Sequence, residues 1–188
     1  MGTFLETERL VLRTFRPDDV DLLVELNGDP LVMRYIFGGP APTRTEVAEE
    51  LLPRYLSYYE KFGGLGKWAA VERGTGRFVG VFMLHPEDGG PLDEAELGYR
   101  FHQFAWGKGY ATEGSIALLG KGFGDFGLRR IFAQAMTVNG GSRRVLEKAG
   151  MRYVRTFFKD WPGPPLDGSE HGDAEYEMTR EEWLAQYR

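Results

Sequence analysis

The 188-residue sequence contains no cysteine, so it forms no disulfide, offers no thiolate to a metal and carries no cysteine nucleophile. Any thiol chemistry must come from a ligand. The three histidines, His85, His102 and His171, lie far apart without H-x-x-x-H spacing, so no metal site is expected. No apolar run approaches the roughly 18 residues of a membrane span, and residues 1–16 are charged and alternating rather than leader-like. A cytoplasmic protein without membrane partners is expected. Two nucleotide-phosphate motifs are missing as well: there is no G-x-x-x-x-G-K-[ST], and no third glycine completes G-x-G-x-x-G after Gly107 and Gly109. Basic residues are outnumbered, 23 against 28, and the resulting net charge of −5 argues against nucleic acid and mildly favours a cationic or amine substrate.

What the chain does have is apolar material: 42% hydrophobic and 14% aromatic residues, enough for one sizeable core, so residues 1–188 are expected to form one domain. Residues 7–15 alternate as a strand, and Pro17-Asp18-Asp19 opens a helix that Asn27-Gly28-Asp29-Pro30 stops. Thr43 with Glu46 three residues on has the form of a capping box, and the helix it opens should kink at Pro53. The aromatic residues of that helix, Tyr55, Tyr58, Tyr59 and Phe62, suit core packing better than pocket lining. Residues 67–72 and 77–84 read as a hairpin across Gly74-Thr75-Gly76, and residues 95–101 as a central strand. A helix carrying Ile116, Leu119, Phe123 and Phe126 then leads to a strand at 129–137, and such a strand-helix-strand unit is normally parallel. The sheet therefore switches from antiparallel to mixed, and ligands favour such switch points. A short helix at 142–149, strands at 152–159 and 174–178 and a tail helix at 180–187 complete the chain. Residues 160–173, with Trp161 and three prolines, form a long loop: a lid, a homodimer contact or a plain surface loop.

The stretch Trp106-Gly107-Lys108-Gly109-Tyr110-Ala111-Thr112-Glu113 joins the central strand to that helix. The first N–H groups of a helix lack intrahelical partners and sit at the positive end of its dipole, so the junction suits a phosphate. Glycine at a strand-to-helix turn also has a purely steric reading.

Four stretches, in order, resemble the GNAT superfamily of acetyl-CoA-dependent N-acetyltransferases, particularly its RimJ/RimL-like branch, which acetylates protein N-termini. They are Glu8-Arg9-Leu10-Val11-Leu12-Arg13, residues 106–113, Asn139-x-x-Ser142 through Gly150-Met151, and Glu181-Glu182-Trp183. The family's phosphate loop, [Q/R]-x-x-G-x-[G/A], maps onto Trp106-x-x-Gly109-x-Ala111, with tryptophan in place of the polar first residue. The resemblance implies an α/β fold with a mixed, mostly antiparallel central sheet flanked by helices, and a splayed parallel strand pair at the cofactor site. It implies acetyl-CoA as co-substrate, its pyrophosphate on Trp106, Gly107, Lys108, Gly109, Tyr110, Ala111 and Thr112, with Gly109 and Ala111 as the close-approach positions. Pantetheine would pair with the edge of Tyr99, Arg100 and Phe101, and Asn139 and Ser142 would contact the cofactor arm. Asn139 and Ser142 also suit helix capping.

The implied reaction is direct attack of an amine, on a small molecule or a protein N-terminus, on the acetyl thioester. Glu96 is the candidate base, on the same side of the central strand as Gly98, Arg100 and His102, with Glu94 and His102 as rivals. Seven residues beyond Asn139 many relatives place a tyrosine that protonates the leaving thiolate; here it is Leu146, and Ser142 is the candidate substitute. The missing tyrosine leaves a non-catalytic acyl-CoA-binding module as the alternative. Glu113, in the first turn of a helix, is explained by the dipole.

Overall fold

A computed structural model describes residues 2–159 and 164–186. Trp161, and with it part of the 160–173 loop, lies outside the described residues. The strand expected over 7–15 forms over Leu10–Thr14, and a strand that was not expected precedes it. β1 (Thr3–Glu6) and β2 (Leu10–Thr14) form an antiparallel pair, because the Thr7 side chain accepts from the Leu10 N–H at 3.0 Å while the Thr7 N–H donates to the Leu10 carbonyl at 2.9 Å. That reversal leaves no period-two signature and was invisible in the alternation.

Pro17–Asp19 forms a single 3₁₀ turn ahead of α1 (Val20–Gly28), and the Asp29 side chain caps α2 (Pro30–Met33) by accepting from Leu31 and Val32 N–H. α3 (Arg44–Glu46) starts in a reciprocal capping box: Thr43 Oγ1 accepts from the Glu46 N–H at 3.2 Å and the Glu46 carboxylate from the Thr43 N–H at 2.7 Å. The kink expected at Pro53 takes the form of a π-helical turn, Val47–Leu51, leading into α4 (Leu52–Lys61). Proline has no N–H to continue the ladder, and a widened turn absorbs the missing bond.

β3 (Gly66–Glu72), β4 (Phe78–His85) and β5 (Glu94–Phe101) continue the sheet, followed by α5 (Tyr110–Gly124), β6 (Arg130–Met136), α6 (Gly140–Lys148), β7 (Arg152–Phe157), β8 (Asp173–Thr179) and α7 (Arg180–Gln186). Among the described residues the sheet has the order β1-β2-β3-β4-β5-β6-β8-β7. Every neighbouring pair is antiparallel except β5 and β6, which run parallel. Strand alternation divides two cores: Trp68, Ala70, Phe82, Leu84 and Leu97 pack with Leu118 and Phe123 of α5, whereas Ala69 and Val81 face Leu23, Leu26, Leu52 and Tyr55 of the N-terminal helices. No described helix is long and apolar enough to cross a membrane.

α5 lies against β4 because Gly114 leaves room for a ring. A Cβ there would meet Phe82 Cζ at 2.2 Å. Overpacking of this kind costs about 1–3 kcal/mol, and alanine's helix propensity returns about 1 kcal/mol of it. A clash this close takes the upper end of that range, so Gly114→Ala is expected to lower the urea midpoint by the equivalent of about 2 kcal/mol; an unchanged midpoint would mean that Phe82 moves aside freely.

Candidate active site

The parallel pair is paired only at its start, Glu94 with Arg130, Ala95 with Ile131 and Glu96 with Phe132. Beyond Glu96 the two strands follow different partners. β5 stays with β4 to Phe101, and β6 stays with β8 to Met136, so they open into a fork whose apex is Glu96. The closed end is clamped by Arg130, which donates to Glu94 at 3.0 Å and to Glu175 and Glu177 at 2.6 Å each. Glu94 is thus committed to an ion cluster that also includes Arg129, and it drops out as a rival base. A cavity of about 260 Å³ fills the fork, lined by residues 96–100 of β5, residues 133–136 of β6, Ser142 and Leu146 of α6, and Tyr55, Lys67 and Met83 beneath the N-terminal helices.

At the open end of β5 the chain turns through Gly107 and Gly109, with φ of +71° and +84°, into α5. Both need the left-handed region, so Gly107 is as constrained as Gly109. Among the described residues, the N–H groups from Gly107 to Thr112 find no acceptor in the chain; the first that does is Glu113, whose N–H reaches the Gly109 carbonyl at 3.0 Å. Consecutive free amides at a helix N-terminus make a cradle for an anion. The cradle is braced from the first hairpin turn. Glu113 accepts from Thr7 Oγ1 at 2.6 Å, from the Arg9 N–H at 2.9 Å and from Arg9 Nε at 2.7 Å, while Arg9 also donates to the Lys108 carbonyl at 2.8 Å. Burial pushes the Glu113 carboxyl up, but those donors together outweigh it and hold the group below its ordinary value. Glu113 is a brace, with more partners than the helix dipole alone would give it.

The family profile described as acetyltransferase (GNAT) domain matches residues 9–152. The chain belongs to the GNAT acetyltransferase family. It is 32% identical over 96% of its length, and 77% of the relative's, to a protein of Aspergillus fumigatus named FsC-acetyl coenzyme A-N(2)-transacetylase. It is 34% identical to the Bacillus subtilis protein YkkB, over 86% of this chain and 92% of the relative. A GNAT acetyltransferase structure from Bacillus anthracis superposes with a TM-score of 0.77 at 28% identity, covering 94% of this chain and 98% of that one. As a GNAT acetyltransferase the chain is an acyltransferase that uses acetyl-CoA. The residues present fit that co-substrate: the free amides at 107–112 match a pyrophosphate, and the unpaired inner edges of the fork match the peptide-like pantetheine arm. No group of three or more His, Cys, Asp or Glu able to hold a metal ion is found among the described residues.

Within this GNAT frame the expected site residues separate into two faces of β5. Tyr99 turns toward α6, where its hydroxyl donates to the Ser142 carbonyl at 3.0 Å and lies 3.0 Å from Ser142 Oγ. Burial pushes the Tyr99 hydroxyl up, so it stays protonated at neutral pH, although its bond to Ser142 works the other way. Asn139 is the N-cap of α6, accepting from the Ser142 N–H at 3.1 Å. Phe101 is buried in the core, and its carbonyl accepts from the Trp106 indole at 2.8 Å, which fixes the strand end above the loop. That carbonyl is therefore occupied within the chain. Arg143 donates to the Tyr176 hydroxyl at 3.1 Å and to the Thr137 carbonyl at 3.2 Å, which ties α6 back to the sheet.

The opposite face carries Glu96, Gly98 and Arg100. Glu96 is half-buried at the apex, and burial, reinforced by Glu87, pushes its carboxyl above the ordinary value against the pull of Lys159 and Lys67. Gly98 is a necessary gap between Glu96 and Arg100, because a Cβ there would meet the Met83 side chain at 2.9 Å. His102, the other rival base, is buried between Phe78 and Phe104 and does not line the cavity. Sequence reasoning missed Lys67, whose ammonium lies 4.8 Å from the centre of the Tyr55 ring, and favoured core packing over pocket lining for Tyr55, which is both buried and part of the cavity wall. Lys67 reaches Gly98 only through the cross-strand row Lys67–Met83–Gly98, which no local pattern reveals.

Proposed function

We propose that this protein acts as a single-domain, acetyl-CoA-dependent N-acetyltransferase of small primary amines, with Glu96 as general base and Ser142 as the acid for the leaving thiolate. The observation that carries this reading is the position of Glu96 at the apex of the fork, where the two strands part and the cavity begins. Bound at residues 107–112 and along the fork, acetyl-CoA supplies an activated acetyl thioester. The chain's own groups handle the protons. An amine with pKa of about 10 arrives charged, and the raised carboxyl of Glu96 is closer to it in basicity than an exposed glutamate would be, which favours proton uptake at its carboxylate oxygen. The freed nitrogen forms the C–N bond as the C–S bond breaks; on the other face Ser142 Oγ–H gives its proton to the departing sulfur and regains one through water from the second proton the nitrogen loses, and Tyr99 is the positioning residue that orients that hydroxyl from 3.0 Å.

The name of the Aspergillus relative describes transfer of an acetyl group to a nitrogen, which supports an amine acceptor. A protein N-terminal α-amine, the acceptor implied by the RimJ/RimL resemblance, is the second reading; it is supported by Ile36, an apolar residue that lines the cavity yet is 40% exposed at its rim. Incubation with acetyl-CoA, a thiol reagent and a panel of small amines and N-terminal peptides tests both. CoA release with small amines is expected; tight binding without release for any acceptor would leave an acyl-CoA-binding module. In the same assay Ser142→Ala is expected to turn over about 10-fold more slowly at unchanged acetyl-CoA affinity, below the ~100-fold lower bound for a full acid–base group because water replaces the hydroxyl. Full turnover would remove Ser142 from the chemistry.

A further inference from the structure

The cavity contradicts the chain's overall acidity. Lys67 and Arg100 both enter it, and neither has a carboxylate partner among the described residues. Arg100 makes two long contacts, to Met33 Sδ at 3.4 Å and to the Tyr55 hydroxyl at 3.5 Å, and its Nε is buried with no acceptor. Lys67 forms no ion pair at contact distance: it lies over the rings of Tyr55 and Tyr58 and feels the Glu96 carboxyl at longer range. Two other half-buried cations are fully paired by contrast: Arg13 is bidentate to Asp19, and Arg130 meets three glutamates. The third cation of the cavity, Lys159, lies 3.8 Å from Asp173. Leaving a desolvated cation without a counter-charge is costly, and a ligand that supplies the charge relieves the cost.

We propose that the acceptor is an amine that also bears a carboxylate, an amino-acid-like small molecule, with the carboxylate held by Arg100 and Lys67 while the amine meets Glu96. Glu96 and Arg100 are four residues apart on one strand face, roughly 13 Å between backbones, and both line the cavity, with the flexible Met83 side chain over Gly98 between them. Burial lowers the Lys67 ammonium from its ordinary value, with Arg100 and Arg54 adding to the effect against Tyr55 and Glu96, and an arriving carboxylate opposes that shift further. The same two cations repel polyamines and other polycations, so specificity follows from the sign of the cavity rather than of the whole chain.

This inference rests on the amine-transfer reading above, and its test is built so that the two fail separately. Amino acids with short, long, aromatic and cationic side chains are each compared with their own carboxamides, which keep the amine and lose the charge. For the best acceptor, kcat/KM is expected to be about 10- to 100-fold higher for the acid than for the amide, the range of a charge-assisted hydrogen bond. Arg100→Met and Lys67→Met are each expected to shrink that ratio toward one, with circular dichroism and acetyl-CoA calorimetry reporting that the fold and the cofactor site persist. Calorimetry of the N-acetylated acid and its amide on CoA-loaded protein gives the same comparison without turnover. Equal affinity of acid and amide, or a ratio untouched by both variants, overturns the inference while leaving acetyl transfer intact. Absence of CoA release with every amine, combined with preferential binding of the acid, overturns the transfer reading and leaves the carboxylate site standing.

Discussion

Glu96→Gln is expected to lower kcat by about 100- to 10,000-fold, the range lost with a general base, while acetyl-CoA affinity changes little. The glutamine keeps the size of the side chain at the apex of the fork and removes only the capacity to take a proton. Burial and Glu87 hold the Glu96 carboxyl above its ordinary value. Below that raised value the wild-type carboxyl is protonated and idle, so the wild-type rate climbs with pH through it, and the variant lacks this limb. At higher pH the amine loses its own proton to solvent, and the deficit of the variant should narrow. The sign for stability runs the opposite way. The folded chain binds the Glu96 proton more tightly than the unfolded chain does, so this group's contribution falls as pH rises through the raised folded value. Glutamine removes that dependence, and the variant is expected to melt no lower than wild type at neutral pH. Slow turnover then cannot be ascribed to unfolding. A wild-type pH–rate profile in the variant would take the role of base away from Glu96 and give it to a water relay.

The second large effect belongs to the loop. Gly109→Asp is expected to weaken acetyl-CoA binding by about 100-fold or more, measured by calorimetry. Gly109 is the N-cap of α5 with φ of +84°, and its side-chain direction points at the Arg9 guanidinium, 3.3 Å from an added Cβ. Aspartate is a favoured N-cap residue and tolerates the left-handed region better than most, so the variant should fold. Its carboxylate would then occupy the free amides meant for the pyrophosphate and repel it, and like charges about 4 Å apart near a protein surface cost up to about 4 kcal/mol. Gly109→Ala separates the two contributions, since it carries the backbone strain without the charge and should lose far less affinity. Equal losses for alanine and aspartate would mean that loop geometry, and not an anion, is what the glycine serves.

Much of this was legible in the chain. Period-two stretches located every strand of the sheet except β1, and Thr43 with Glu46 announced the helix start in which each caps the other. The spacing Trp106-x-x-Gly109-x-Ala111 marked the loop whose amides are free. Those features are local: a cap, a turn or an alternation is decided by residues a few positions apart. β1 escaped because the reversal at Thr7 leaves no period-two signature of its own, and Gly107 escaped because a motif specifies residue types and not φ. The Tyr99–Ser142 pair escaped for a different reason. The two residues are 43 positions apart and meet only because α6 returns over the face of β5 opposite Glu96.

The acceptor site marks the boundary most clearly. The mixed sheet, the glycine loop with its free amides and the resemblance to the family were legible in the chain, because local propensity and motif spacing carry them. The sequence by itself also determined a net charge of −5, and from that sum a cationic acceptor was the natural expectation. Only the tertiary structure decided which charges face the cavity. The sheet register sets Lys67 across Met83 from Gly98, strand alternation puts Glu96 and Arg100 on that same face, and Glu94, Glu175 and Glu177 are drawn away into the cluster around Arg130. Buried charges interact over a few ångströms at reduced dielectric, whereas the net charge is a sum over a solvent-screened surface. A substrate therefore meets the sign of its pocket, and that sign is a property of the fold.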